Sequence, residues 1–279
     1  MKKRFSRVYL ELTNICNKSC SFCPRTTREP RTMTMDELSI ALDRLSGYTD
    51  YIYFHLMGEP MTNRSLADAI RLGSERGFKC AVTTNGTLLS KWGRELIEAG
   101  VYKVNISLHS FEGADAKEHT AYIKECLDFA DEASRAGVLT VLRLWERGAS
   151  VEHPDPLPTV RGYFSGEEWV RGERGYRIRH RLHLEYGERF AWPSLSADEL
   201  GERVFCYGLT DHIGILSDGR VVPCCLDGEG VITLGNIFSS ELSDILSSER
   251  AENILAGFRA REAREELCRR CGYARRFKI

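Results

Sequence analysis

The sequence predicts an α/β protein: a partial, TIM-like (β/α)6 barrel followed by a small C-terminal α+β domain. Three observations carry that reading. Runs rich in β-branched and aromatic residues alternate with helix-length stretches whose apolar residues recur at three- and four-residue steps. Gly77, Gly100 and Gly137 stand where those helices should stop. After about Pro193 the alternation gives way to a short hairpin pattern and short helices. At 279 residues, one large domain with an appendage fits better than two equal halves. The expected division is 1–195 and 196–279.

The elements follow in order. Strands are predicted over 8–13, 51–57, 79–84, 102–108, 139–145 and 181–186, and helices over 35–45, 65–76, 90–98 and 115–136. In a barrel of βα units the loops after the strands' C-terminal ends build the active site. Residues 146–179 hold three prolines, several glycines and many charges, the composition of a long loop or an insertion near that site. Trp192-Pro193 and this loop are expected to close the barrel mouth. Further on, 211–216 and 221–225 flank Ser217-Asp218-Gly219-Arg220, whose Asp-Gly pair signals a hairpin turn, and short helices surround Leu242 and Ile254. This C-terminal part has few large apolar residues but half of the cysteines, so a metal staple is expected.

Composition narrows the function classes. The net charge of −1 gives no bulk field for nucleic acid or acidic lipid, and no apolar run reaches the length of a membrane span. A basic start without an apolar stretch behind it is no secretory signal, so a cytoplasmic setting is expected. Disulfides seldom persist there, and ten cysteines then point to metal or redox chemistry. Cys80 opens a strand and Cys126 lies on the apolar face of a helix with Tyr122, Phe129 and Ala133, so both read as buried small hydrophobes.

Cys16-Asn17-Lys18-Ser19-Cys20-Ser21-Phe22-Cys23 follows the first strand. Three thiolates this close can hold one face of a 4Fe-4S cube, leaving one iron open to an exchangeable ligand. A three-cysteine zinc site or a redox-sensing thiol patch is the alternative. The Cys-x3-Cys-x2-Cys spacing, with an aromatic before the last cysteine, resembles the radical S-adenosylmethionine (SAM) superfamily. Met57-Gly58-Glu59-Pro60 after the second strand is similar to that family's Gly-Gly-Glu-Pro segment, with Met in the first position. Thr84-Asn85-Gly86-Thr87 resembles its Thr-Asn-Gly turn, and Ser107 takes the place of its SAM-contacting serine. The resemblance implies that the amine and carboxylate of SAM chelate the open iron, and that electron transfer then releases a 5′-deoxyadenosyl radical. It further implies SAM contacts from Gly58, Glu59, Pro60, Asn85 and Ser107, with Phe22 over the adenine and Arg143 on the SAM carboxylate or the substrate.

Cys206, Cys224, Cys268 and Cys271 form a second set, able to ligate a complete 4Fe-4S cluster or, alternatively, a tetrahedral zinc. Cys225 competes with Cys224, but neighbours on a strand face opposite ways, so only one should ligate. The region resembles a twitch-type, shortened SPASM auxiliary-cluster domain, and its cysteine order is similar to that of the butirosin-pathway aminocyclitol dehydrogenase. With the chain ending eight residues after Cys271, one auxiliary cluster is expected.

These resemblances imply a radical SAM oxidoreductase that abstracts a substrate hydrogen atom and completes a two-electron oxidation, a dehydrogenation, of a small sugar-like or aminocyclitol substrate. A reducing partner such as flavodoxin or ferredoxin is implied, with no nucleic acid and no membrane. The alternative is a peptide-modifying maturase acting on a short peptide; only fifteen residues precede Cys16, which favours the small molecule. A non-catalytic iron-sulfur or zinc protein is the reading of another class. Substrate-facing candidates near strand ends are His109, Arg143, His183 and Glu185.

Overall fold

Eleven strands form one sheet among the described residues, which in this computed structural model are 3–112, 115–145 and 155–277. In chain order they are β1 (Arg7–Leu10), β2 (Tyr51–Phe54), β3 (Lys79–Thr84), β4 (Lys103–Ser107), β5 (Leu139–Trp145), β6 (Val170–Gly172), β7 (Gly175–Arg179), β8 (Leu182–Gly187), β9 (His212–Ile215), β10 (Arg220–Val222) and β11 (Gly235–Asn236). The helices are α1 (Met35–Leu45), α2 (Leu66–Glu75), α3 (Leu89–Glu98), α4 (Ala116–Arg135), α5 (Leu157–Tyr163), α6 (Leu242–Leu246), α7 (Glu249–Arg259) and α8 (Glu266–Arg269). Sheet order is β11-β10-β9-β1-β2-β3-β4-β5-β8-β7-β6. The run β1, β2, β3, β4, β5, β8 is parallel throughout, and these are the six predicted strands of an unclosed barrel.

Local chemistry sets the helices as predicted. Thr34 caps α1 in a capping box with Glu37, and Asp115 caps α4 by accepting from the backbone of Lys117 and Glu118, both at 2.8 Å. The predicted stop glycines, Gly77, Gly100 and Gly137, lie just beyond α2, α3 and α4 with φ of +81°, +79° and +90°. The core lies between sheet and helices. Val8, Leu10, Ile52, Phe54, Val82, Val104, Ile106 and Leu142 on the sheet, with Leu38, Leu42, Ile70, Ile123 and Leu127 from the helices, are all fully buried. Cys80 and Cys126 belong to that core, as expected of small hydrophobes.

The other face of the same strands is polar. Arg7 and Tyr9 on β1, Tyr53 and then His55 after β2, Lys103, Asn105 and Ser107 on β4, and Arg143 on β5 alternate with the buried apolar residues and line the barrel interior. A parallel sheet packed on both faces reads as continuous apolar runs. The alternation here marks a sheet that is packed on one face and encloses a cavity on the other.

One expectation changes and another is narrowed. The first strand ends at Leu10 and not at Thr13, because Thr13 turns back to bridge Thr32 while the Glu11 side chain is drawn to the C-terminal region. Of the two forms expected for 146–179, the described part is an insertion and not a long loop: α5 and the β6–β7 hairpin occupy its second half, and β7 extends the sheet antiparallel to β8, whereas 146–154 lie outside the described residues. Trp169 and Tyr176 pack edge-to-face across that hairpin, a pairing hidden in sequence by the surrounding Gly, Arg and Glu. The predicted C-terminal hairpin is β9–β10, turning at Asp218-Gly219, where Gly219 has φ +84°. Unexpectedly, β9 pairs in parallel with β1, from Arg7 opposite His212 to Leu10 opposite Ile215. The barrel sheet therefore runs without interruption into the C-terminal region.

Candidate active site

One cavity of about 910 Å³ fills the barrel interior and reaches the C-terminal region, and Cys16, Cys20, Cys23, Cys206, Cys224, Cys268 and Cys271 all line it. The two predicted cysteine sets thus face a common space.

The first set sits on a loop held from three sides. Gly58, with φ +75°, lies so close beneath it that a Cβ there would approach Thr13 O to 2.3 Å and Asn14 C to 2.8 Å, so only glycine fits. Ile15 O accepts the Glu59 N–H at 2.9 Å. The turn after β3 supplies a third hold: Asn85 Nδ2 donates to Asn17 Oδ1 and Asn17 Nδ2 to Thr87 Oγ1, both at 2.9 Å. Backbone N–H groups point at sulfur, Lys18 N at Cys16 Sγ and Arg25 N at Cys23 Sγ, both at 3.4 Å. Such donors stabilise thiolate ligands of an iron-sulfur cluster. None of these thiols is in a disulfide.

Glu59 is 2% exposed, and its carboxylate accepts from Thr84 Oγ1 at 2.8 Å, Asn85 N at 2.6 Å and Met61 N at 3.1 Å. Burial raises its pKa to about 7 against the opposing pull of those donors. Glu59 therefore clamps the loops after β2 and β3 together, and it lines the same cavity as Cys16. Pro60 opens the short 3-10 turn that follows and does not line the cavity. Ser107 lies opposite Arg143 in the β4–β5 register, and Phe22 packs edge-to-face on His109 with ring centres 5.3 Å apart. His109 Nδ1 lies 3.2 Å from Arg143 O; burial, followed by the Arg143 charge, lowers its pKa to about 3.

The second set is assembled from the start of the C-terminal region (Cys206), the turn after β10 (Cys224), and α8 with the residues just past it (Cys268 and Cys271). Gly208 N points at Cys206 Sγ at 3.3 Å. Burial holds Cys206, Cys224 and Cys268 above the ordinary thiol range, with the neighbouring thiols of the same set adding to the shift. Binding a metal requires such thiols to give up their protons. Cys225 is turned instead towards Tyr9, in a small cluster with Leu56, Leu216 and Val222. The expected strand over 221–225 stops at Val222, so both cysteines lie in the turn after β10 and strand alternation does not separate them; it is the charges of Cys206 and Cys268 that act on the Cys224 thiol. A 4Fe-4S cluster takes one thiolate at each ligated iron, so its thiols sit around a cube and need not converge on a single point. Free thiols with sulfur-directed N–H groups on one cavity fit clusters.

Of the predicted substrate-facing residues, His109, Arg143 and Glu185 line the cavity and His183 does not. Trp192 and Pro193 line its wall, where Phe190 packs on Trp192 and on Tyr273 at 5.1 and 5.0 Å. Missing from the sequence reading are Tyr9, Tyr53, His55 and Lys103, whose signal was the polar alternation within strands. Burial, then Arg143, lowers the His55 pKa to about 4, so it is a neutral imidazole. Also missed was a buried knot behind the first cysteine loop. Glu11, 1% exposed, accepts two bonds of 2.7 Å from Arg28 Nη2, one of 2.9 Å from Ser217 Oγ and one of 3.3 Å from Met57 N. Arg28 Nε donates to Gly228 O at 2.8 Å, and Glu229 accepts from Thr27 N and Oγ1.

Comparison with known proteins agrees with this geometry. Residues 10–145 match the model of the radical SAM superfamily and residues 206–272 that of an iron-sulfur cluster-binding domain, SPASM. A probable GTP 3′,8-cyclase of Methanocella arvoryzae is 31% identical over 281 residues, covering 88% of this chain and 89% of its own. A second, from Sulfurisphaera tokodaii, is 33% identical, but that match spans only 47% of the relative. Among solved structures, BtrN in complex with AdoMet and 2-DOIA superposes with a TM-score of 0.62 at 18% identity, over 97% of this chain and 94% of that one. Streptococcus suis SuiB bound to precursor peptide SuiA gives 0.59 at 14% identity, over 96% and 70%. Likeness at such identity is likeness of fold.

Proposed function

Since this chain belongs to the radical SAM superfamily, with SAM and two 4Fe-4S clusters as its cofactors, we propose that it dehydrogenates a small sugar-like or aminocyclitol substrate inside the barrel. The single observation that carries this reading is the shared cavity: both cysteine sets open onto the space lined by His109, Arg143 and Glu185. When bound, the cofactors supply one-electron cleavage of a sulfonium, removal of a hydrogen atom and a sink for the electron that follows.

Cys16, Cys20 and Cys23 would hold the first cluster, and Cys206, Cys224, Cys268 and Cys271 the second. The chain's own residues do the rest. Glu59, which lines the cavity, would receive an ammonium on the lone pairs that its three donors leave, while Thr84 and Asn85 keep it oriented. Ser107 and Arg143, opposite one another in register, suit a hydroxyl and a carboxylate. Phe22 on His109 presents an apolar surface to a base. Phe190, Trp192 and Tyr273 form a wall that excludes water from a reactive centre.

The test is anaerobic incubation of the reconstituted, reduced enzyme with SAM and a panel of aminocyclitols and sugars, read by mass spectrometry. Loss of two hydrogens from a panel member, with 5′-deoxyadenosine formed, supports the proposal. Deoxyadenosine formed only when a peptide is supplied, with a modified peptide as product, overturns it in favour of a peptide maturase.

A further inference from the structure

The charges inside the barrel do not balance locally. Arg7 is paired with Asp211 at 3.0 Å, and Arg28 with Glu11. Glu59 is occupied by its three donors, and Asp227 accepts from Val231 N and Ile232 N at 2.9 and 2.8 Å. Lys18 lies over the Phe111 ring at 4.0 Å. Arg25 donates to Ser19 O at 3.2 Å. Apart from the exposed Arg174, this leaves Lys103, Arg143 and Glu185, which line the cavity from β4, β5 and β8 and make no side-chain hydrogen bond or ion pair among the described residues. Burial lowers the pKa of the half-buried Lys103 ammonium, the Glu185 charge opposes that shift and the Arg143 and Arg7 charges add to it, while among the described residues no acid lies within ion-pair distance of it.

Position along the strands separates these groups. Arg143 is opposite both Ser107 and Glu185 in register, near the C-terminal ends where the cysteine loops lie. Lys103 begins β4, four residues below Ser107, which at roughly 3.3 Å per residue is about 13 Å deeper. Thiolate-bound clusters carry negative charge, so an anionic substrate group is better placed at the barrel floor than beside them. A half-buried cation with no acid in contact is costly unless a ligand neutralises it.

We propose that the substrate bears a carboxylate or phosphate that docks on Lys103 at the barrel floor, while Arg143 and Glu185 grip polar groups beside the reacting carbon. This rests on reading the cavity as the substrate site and adds the substrate's charge and orientation. Lys103 is a specificity-determining residue on this account.

The probes are inorganic pyrophosphate, tricarballylate and neutral myo-inositol, titrated calorimetrically into anaerobically reconstituted enzyme with SAM present. Binding of pyrophosphate or of tricarballylate, whichever is tighter showing whether phosphate or carboxylate is preferred, is expected. Lys103→Met should weaken that anion at least tenfold and Lys103→Arg should retain it, with iron content and circular dichroism showing that both variants are folded. Anion binding unchanged in Lys103→Met, no anion binding at all, or tighter binding of myo-inositol than of either anion would overturn the proposal. Because the readout is binding, a failure here is distinct from a failure to dehydrogenate.

Discussion

Glu59 shows how one side chain organises the site. Three donors converge on its buried carboxylate, and Glu59→Gln puts an amide N–H2 against at least one of them. The loss should be about 1–3 kcal/mol, seen as a fall of several degrees in the melting temperature of the metal-free protein. An unchanged melting temperature would mean that the carboxylate is no clamp. His55 makes a prediction in pH. Its folded pKa, lowered from 6.5 to about 4, means that the folded state binds fewer protons than the unfolded state in that window. Stability should therefore fall as pH drops from 6.5 to 4, and His55→Phe should make melting temperature less steep over that range. An equal slope in both proteins would contradict this. The first cysteine set and Glu59 were legible because each is a local pattern on a short stretch of chain, whereas the second set, spread from Cys206 to Cys271, was read from its order and its closing Cys-x2-Cys pair. His55 and Lys103 were not, since what singles them out is the strand face they share with residues up to 130 positions away.

The loop that carries the first cysteines is the element most constrained by others. Arg28 and Glu11 form a buried pair, and removing one partner leaves the other uncompensated, typically at a cost of 3–5 kcal/mol. Arg28→Ala should raise amide hydrogen exchange across residues 14–33 in the metal-free protein and loosen Ser217 and Gly228 as well; exchange confined to the site of substitution would show that the pair holds nothing else. Gly58→Ala drives a methyl into the Thr13 carbonyl and should abolish iron loading of the first set, while the second set still fills. Full loading of both would contradict the close packing. Helices and their caps were readable one by one from spacing and end signals. The β6–β7 hairpin was not, because β6 is exposed throughout and β7 buries only Ile178 among its arginines, and a strand that buries little carries little alternation.

At the scale of the whole molecule, the seam between β1 and β9 joins what the sequence divides at residue 195. Nothing in either strand names its partner, as parallel pairing over some 200 residues leaves no local trace. Cutting the chain after 195 would leave the β1 edge open, and the fragment 1–195 should aggregate, since an unpaired strand edge is a template for association. A soluble, monodisperse fragment with intact secondary structure would show that the two regions are independent. The account as a whole stands on the first cysteine set holding a cluster that engages SAM. The most direct measurement is iron and sulfide content after anaerobic reconstitution, together with 5′-deoxyadenosine release on reduction with SAM, in the native protein and in Cys20→Ala. About eight irons and nucleoside release are expected from the native chain, and about four irons with no release from the variant. Zinc in place of iron, or nucleoside release that survives loss of Cys20, would contradict it.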